Sequence, residues 1–295
     1  MEKYTKIDTL YKRYQFNGND CPNKKWLKFK NKIILGDFSD AEAKYLFDCL
    51  WEAYSKIDGT NSKIVFFPST GEIKVGGKSD NSDSLCGQFE FLQEIANRIK
   101  PQLCAMFPPE SARFTPVKGD DNKVQYWDKE LHDFVVPTTE DYFGVYLEEV
   151  PVYVYGEYFG KGIQKAGVRY IQDGHDFLVF DIRQQGWWLP KEMRDNMCQT
   201  LGLKTVPFLG VFSLREIERM VMAGFKTKFY GASDPTLLEE GIVARPTVPM
   251  CDGRGNRIIV KVKYCDYVEY QRVRSEFTDD EFNEFSEWYR ETIGV

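Results

Sequence analysis

The sequence predicts an α+β protein, with mostly antiparallel sheets flanked by helices. Three observations carry that expectation. Short runs rich in Val, Ile, Tyr and Phe, several alternating apolar with polar residues, recur along the chain: KIVFFPSTGEIKVGG, PVYVYGEYFG, DFLVFDIR, GIVARPTV and NRIIVKVKY. Segments with apolar residues at helical spacing fall between and after them. No repeat, low-complexity stretch or composition shift marks a boundary, so one domain is expected over 1–295, ending in a helical extension over 275–295.

Taken in order, FDCLWEAYS is a bulky run that stops at the turn Asp58-Gly59. LCGQFEFLQEIANRIK, 85–100, places Phe89, Leu92, Ile95, Ala96 and Ile99 on one helical face. LPKEMRDNMCQTLGL, 189–203, has Pro190 near its start and Gly202 near its end, as helix boundaries favour. SLREIERMVMAGF, 213–225, is a further helix. In TDDEFNEFSEWYRETIG, Thr278 with Glu281 fits a capping box, and Phe282, Phe285 and Tyr289 share a face.

Composition narrows the classes of function. With 42% hydrophobic and 28% charged residues among 295, the chain suits a soluble globular protein rather than a disordered or fibrous one. No apolar run approaches the roughly 18 residues of a membrane span. The opening MEKYTKIDTLYKRYQF is charged throughout and lacks the apolar stretch of a signal peptide. Seven scattered cysteines without a CxxC pair, and only two histidines, speak against zinc, a disulfide framework and histidine-based nucleophilic catalysis. A reducing cytoplasm is expected.

The net charge of −6 makes local positive charge the relevant quantity for any nucleic-acid partner. KKWLKFKNK, 24–32, holds five lysines around Trp26 and Phe29. Lys24, Lys25, Lys28 and Lys30 are candidates to track phosphates, with the two rings free to stack on bases. The alternative is an ordinary solvated face.

Five more stretches carry potential chemistry. Lys56 ends an apolar run at a turn. Glu157, in VYVYGEYFG, is a carboxylate on an otherwise apolar strand, costly there unless it binds something. In FLVFDIR, simple alternation places Phe180 and Asp181 on opposite faces. LEEGIVARP sets Glu240 before a glycine and an apolar strand. RIIVKVKY puts Arg257, Lys261 and Lys263 on one face, where like charges repel unless they meet water or phosphate.

In this order and spacing, Lys56-Ile57-Asp58-Gly59, Tyr155-Gly156-Glu157, Phe177–Ile182, Glu239-Glu240-Gly241-Ile242-Val243 and Lys261-Val262-Lys263 resemble the motifs of the covalent nucleotidyltransferases. The opening KIDTLYKR, Thr60-Asn61, GGKSDNSD (76–83) and GEYFGKGIQ (156–164) are similar to the phage-type ATP-dependent RNA ligases. The resemblance spans roughly 3–268 and is weakest over 12–50 and 105–145. Two departures stand out. Lys78 occupies a position where the family usually carries arginine. Only 32 residues follow Lys263, too few for an OB-fold but enough for a short C-terminal helix.

The resemblance implies a nucleotidyltransferase (adenylation) domain and a ligase reaction. Lys56 would attack the α-phosphate of ATP to form lysyl-AMP. AMP would pass to the 5′-phosphate of an RNA end, and a 3′-hydroxyl would then seal the strand. Lysine amines are ordinarily protonated at neutral pH, so Lys261, Lys263 and a divalent metal (Mg or Mn) would favour the neutral nucleophile and stabilise developing charge. Asp58, Gly59, Asn61, Lys78, Glu157, Phe180, Asp181 and Glu240 would complete the ATP site. Within it, Phe180 would stack on adenine, Glu157 would bind the ribose or help hold a metal, and Glu240 would bind the catalytic metal, directly or through water. The implied setting is the cytoplasm, a host's if the gene is a phage's, with an end-healing kinase or phosphatase as partner. Two alternatives remain at this point: a ligase of nicked DNA or RNA/DNA hybrids, and an inactive nucleotide- or RNA-binding protein.

Overall fold

The computed structural model describes residues 4–78, 87–108, 114–118, 124–128, 131–135, 151–184, 187–229 and 232–293; for 114–118, 124–126 and 135 it describes the backbone alone. The chain forms two compact units. One comprises Met1–Thr5 and Asp58–Val206, the other Lys6–Ile57 and Pro207–Val295.

The first unit is built on a six-stranded sheet. Strand Val152–Gly160 lies between His175–Gln184 and Thr60–Phe67, antiparallel to both. Flanked on both sides, it buries every residue except the half-buried Glu157, so VYVYGEYFG reads as a nearly continuous apolar run. Thr60–Phe67 and Glu72–Gly77 form the hairpin expected from KIVFFPSTGEIKVGG, turning at Gly71 with a φ of 65°. Helix Gln88–Met106 presents Leu92, Ile95, Ala96, Ile99 and Leu103 to this core, and runs further than its sequence pattern indicated. Helix Lys191–Leu201 starts after Pro190 and ends at Gly202, whose φ is 63°. A separate three-stranded antiparallel sheet comprises Phe114–Lys118, Val124–Asp128 and Asp133–Val135.

The second unit holds a five-stranded sheet in the order Asp8–Thr9, Val260–Lys263, Gly241–Pro246, Leu50–Ser55 and Phe208–Ser213. Its first pair is parallel and the others antiparallel. Helix Leu214–Ala223 begins at a capping box of Ser213 and Glu216 and buries Leu214, Ile217 and Val221. Beyond Lys263, the described residues form helices Tyr264–Arg274 and Asp279–Ile293 and no barrel. Thr278 and Glu281 exchange the expected capping bonds, and Phe285 and Tyr289 enter the core.

The antiparallel α+β expectation therefore holds, while the lysine-rich segment requires a correction. Lys24–Phe29 is a 3₁₀ helix. With three residues per turn, Trp26 and Phe29 fall on the same side. Both rings are buried, Phe29 stacking on Phe285 at a centroid separation of 4.5 Å. Neither ring is available to stack on a base. Lys25 and Lys28 form ion pairs with Glu281 and Glu276, while Lys24 and Lys30 are exposed and have no acidic partner among the described residues. No described helix is long and apolar enough to cross a membrane.

Candidate active site

In the second unit, Leu50–Ser55 carries the chain to Lys56. The Lys56 N–H donates to the Gly241 carbonyl at 3.0 Å, fixing the lysine just beyond the last strand residue. Its Nζ donates to Glu240 Oε2 at 2.5 Å, and Lys263 Nζ lies 2.9 Å from Glu240 Oε1. One carboxylate is thus held between two ammonium groups. Pairing of Gly241–Ala244 with Val260–Lys263 sets the register that makes this contact. Gly241 is required for that register. A Cβ there would stand 2.1 Å from the Val262 carbonyl oxygen, so any side chain would force the two strands apart.

Lys261 points its Nζ to the Ile7 carbonyl at 2.7 Å rather than to a carboxylate. Burial, then the fields of Lys263 and Lys56, hold this amine below the ordinary lysine range. For Lys263, burial acts in the same sense, but the bond to Glu240 outweighs it and raises the ammonium above that range. Two lysines on one strand face therefore occupy distinct electrostatic environments.

Glu239, the neighbouring residue, is buried, with 2% of its surface exposed. Its Oε2 accepts from the Lys228 N–H at 3.2 Å, and the Ser55 and Thr227 hydroxyls lie beside the carboxyl. Burial pushes this carboxyl up to about 7 from 4.5. Because the folded-state value is raised, folding favours the protonated form, and stability is lost as pH rises from 4.5 towards 7. Glu239→Gln keeps the shape without the charge. It is expected to raise the melting temperature by several degrees at pH 8 and to leave it nearly unchanged at pH 4, as thermal melts at the two values would show.

The remaining motif residues belong to the first unit. The Asp58 backbone N–H donates to Tyr170 Oη at 3.4 Å. A Cβ on Gly59 would meet the Tyr158 carbonyl oxygen at 2.4 Å and Glu157 Cγ at 2.9 Å. Glycine is therefore what lets this turn close against the Glu157 strand. Asn61 stands opposite Glu157 in the strand register. Lys78 is exposed at the end of its hairpin, and the following residues 79–83 of GGKSDNSD lie outside the described residues.

Phe180 and Asp181 depart from the expected alternation. Tyr155 pairs with Asp181 and Gly156 with Val179, which leaves Phe180 as an extra residue in a β-bulge. The bulge brings both side chains onto Tyr4. Tyr4 Oη donates to Asp181 Oδ2 at 2.5 Å, and its ring meets Phe180 edge-on with centroids 5.0 Å apart. Buried Arg194 donates to the Phe180 carbonyl at 2.9 Å, supplying a partner at the bulge. Sequence reasoning missed Tyr4 and Arg194. Neither stands in a motif, and the polar residues around Tyr4 give no periodicity that would mark it as buried.

The RNA ligase family model matches residues 50–263, and the chain belongs to the RNA ligase family. No curated protein sequence gives a significant match. Solved structures similar to this chain include Naegleria gruberi RNA ligase, as a lysine-to-alanine variant with ATP and Mn (16% identity, TM-score 0.47, 79% of this chain and 55% of that chain). The same ligase with PPi (16% identity, TM-score 0.46, 79% and 54%) is also similar. The chain covers little more than half the length of those structures.

Proposed function

We propose that the protein is an ATP-dependent RNA ligase, with Lys56 as the nucleophile that becomes adenylated. The observation that carries this reading is the Lys56–Glu240–Lys263 chain of contacts at the end of the Leu50–Ser55 strand. An amine fixed at a strand end, with two further lysines and one carboxylate beside it, suits attack on a phosphate. Lys56 forms a bond to the α-phosphorus of ATP as the bond to pyrophosphate breaks. Its ammonium must first lose a proton, and Glu240 holds that group in place. Lys261 and Lys263 offset the negative charge that builds on the phosphate. The 5′-phosphate of an RNA end then displaces Lys56 from AMP, and a 3′-hydroxyl displaces AMP to join the strands.

The donor set fits a polyphosphate. For a divalent metal, no three His, Cys, Asp or Glu side chains stand together as a cluster among the described residues. By motif, Glu157 and Glu240 are each assigned to a divalent ion, Mg or Mn, whose other ligands would be phosphate oxygens. When bound, such an ion neutralises phosphate charge and polarises the reacting centre. Phe180 is assigned to stacking on adenine, with Asp181 placed beside it by the bulge. Asp58, Gly59, Asn61 and Lys78 are assigned to the nucleotide by motif. Residues 1–295 are read as one nucleotidyltransferase domain with 275–295 as its helical extension, working in the cytoplasm beside an end-healing kinase or phosphatase.

Defined RNA, DNA and hybrid strands with 5′-phosphate and 3′-hydroxyl ends test the reading. ATP-dependent sealing of RNA supports it, and sealing confined to DNA contradicts it. Lys24, Lys25, Lys28 and Lys30 are assigned a secondary role on the RNA backbone. Lys25 and Lys28 are already paired, so replacing all four by alanine should lower the log–log salt slope of binding by about 1.4, the share of two single-strand contacts. A titration series at several salt concentrations measures that slope.

A further inference from the structure

A cavity of about 590 Å³ opens in the second unit, with Lys261 and Lys263 on its wall. Lys6, Lys12 and Arg13 line it too, and Asp8 is the one carboxylate of its lining among the described residues. Thr9 and Ser39 add hydroxyls. These are phosphate donors, in a chain whose net charge is −6. From this lining we propose that the cavity is a subsite for the 5′-phosphate of the RNA end to be joined. The ligand assignment rests on the ligase reading above.

Lys56 does not line the cavity, although Lys263, which shares Glu240 with it, does. The 5′-phosphate must meet the AMP phosphorus on Lys56 in the second step. Lys261 and Lys263, shared by the cavity and the lysine cluster, stand where two adjacent phosphates would need charge.

The existing partners of the wall leave room for such a ligand. Arg13 is fixed by Asp266 at 2.6 Å and by the Asn31 carbonyl at 2.8 Å. Among the described residues, Lys261 Nζ donates to the Ile7 carbonyl, a neutral acceptor, and pairs with no carboxylate. Lys6 pairs with Asp8 and Lys12 with Asp37, but their side chains are 79% and 56% exposed. Exposed pairs of this kind are weak and readily exchanged for a phosphate. Two exposed lysines on the wall suit a polymer end that enters from solvent.

The test is direct binding of a short fluorescent RNA carrying a 5′-phosphate, against the same RNA with a 5′-hydroxyl. The unaltered protein should prefer the phosphorylated end by several-fold. The double variant Lys6→Ala/Lys12→Ala should lose that preference, and its log–log salt slope should fall by about 1.4. Both side chains are exposed, and Lys12→Gln alone gives the same readout if the double variant is unstable. Parent-like binding of both RNAs by the variants would overturn the proposal. So would unchanged RNA binding with slower label transfer from ATP, which would assign the cavity to the triphosphate. Binding is read without turnover, so a protein that fails to react with ATP still gives an answer for the cavity.

Discussion

Lys56→Ala is expected to abolish covalent labelling of the protein by α-labelled ATP. Removing a nucleophile of this kind costs roughly 10⁴-fold or more in rate, because no other group can take its bond. The field of Lys56 reaches Lys261, but the Lys261 amine donates to the Ile7 carbonyl and does not substitute for Lys56. The same variant should still seal an RNA strand supplied already 5′-adenylated, since that step needs no lysine adduct. A denaturing gel after incubation with labelled ATP and metal reads the first result, and product formation from the adenylated strand reads the second. Loss of both in a folded variant would show that Lys56 also serves the sealing step.

Glu240→Gln is expected to reduce the rate of labelling by about 100-fold or more, the scale for removal of a group that orders charge at a reacting centre. Two ammonium groups, at 2.5 and 2.9 Å from its carboxylate oxygens, would then face each other across a neutral amide. The consequence is a misplaced nucleophile rather than an unfolded protein, because the backbone bonds from Lys56 to Gly241 and from Tyr264 to Glu240 remain. Single-turnover labelling with a melting curve on the same sample separates these effects. A rate close to the parent's would remove Glu240 from the account.

Much of the fold was legible because its strands obey simple periods. Val152–Gly160 and Gly241–Pro246 announce themselves by buried apolar runs, and helix Lys191–Leu201 by its flanking proline and glycine. The lysine cluster was legible too, since Lys56, Glu240 and Lys263 were each marked by a motif and the strand register joins them. Three features were hidden for physical reasons. Alternation predicts opposite faces for Phe180 and Asp181, and a one-residue bulge cancels it with no glycine or proline in its own strand, Gly156 standing at the register shift on the neighbouring strand. Trp26 and Phe29 look exposed among lysines, yet 3₁₀ spacing turns both inward. Lys261 takes a backbone carbonyl as its partner, and backbone acceptors leave no trace in residue identity.

The central claim is that Lys56 carries the adenylate. Peptide mapping by mass spectrometry after incubation with ATP and Mg, under conditions that preserve the phosphoramidate, tests it most directly. The account predicts one AMP adduct, on the peptide containing Lys56 and fragmenting to that residue. An adduct on Lys261, Lys263 or any other side chain, with Lys56 unmodified, would contradict it.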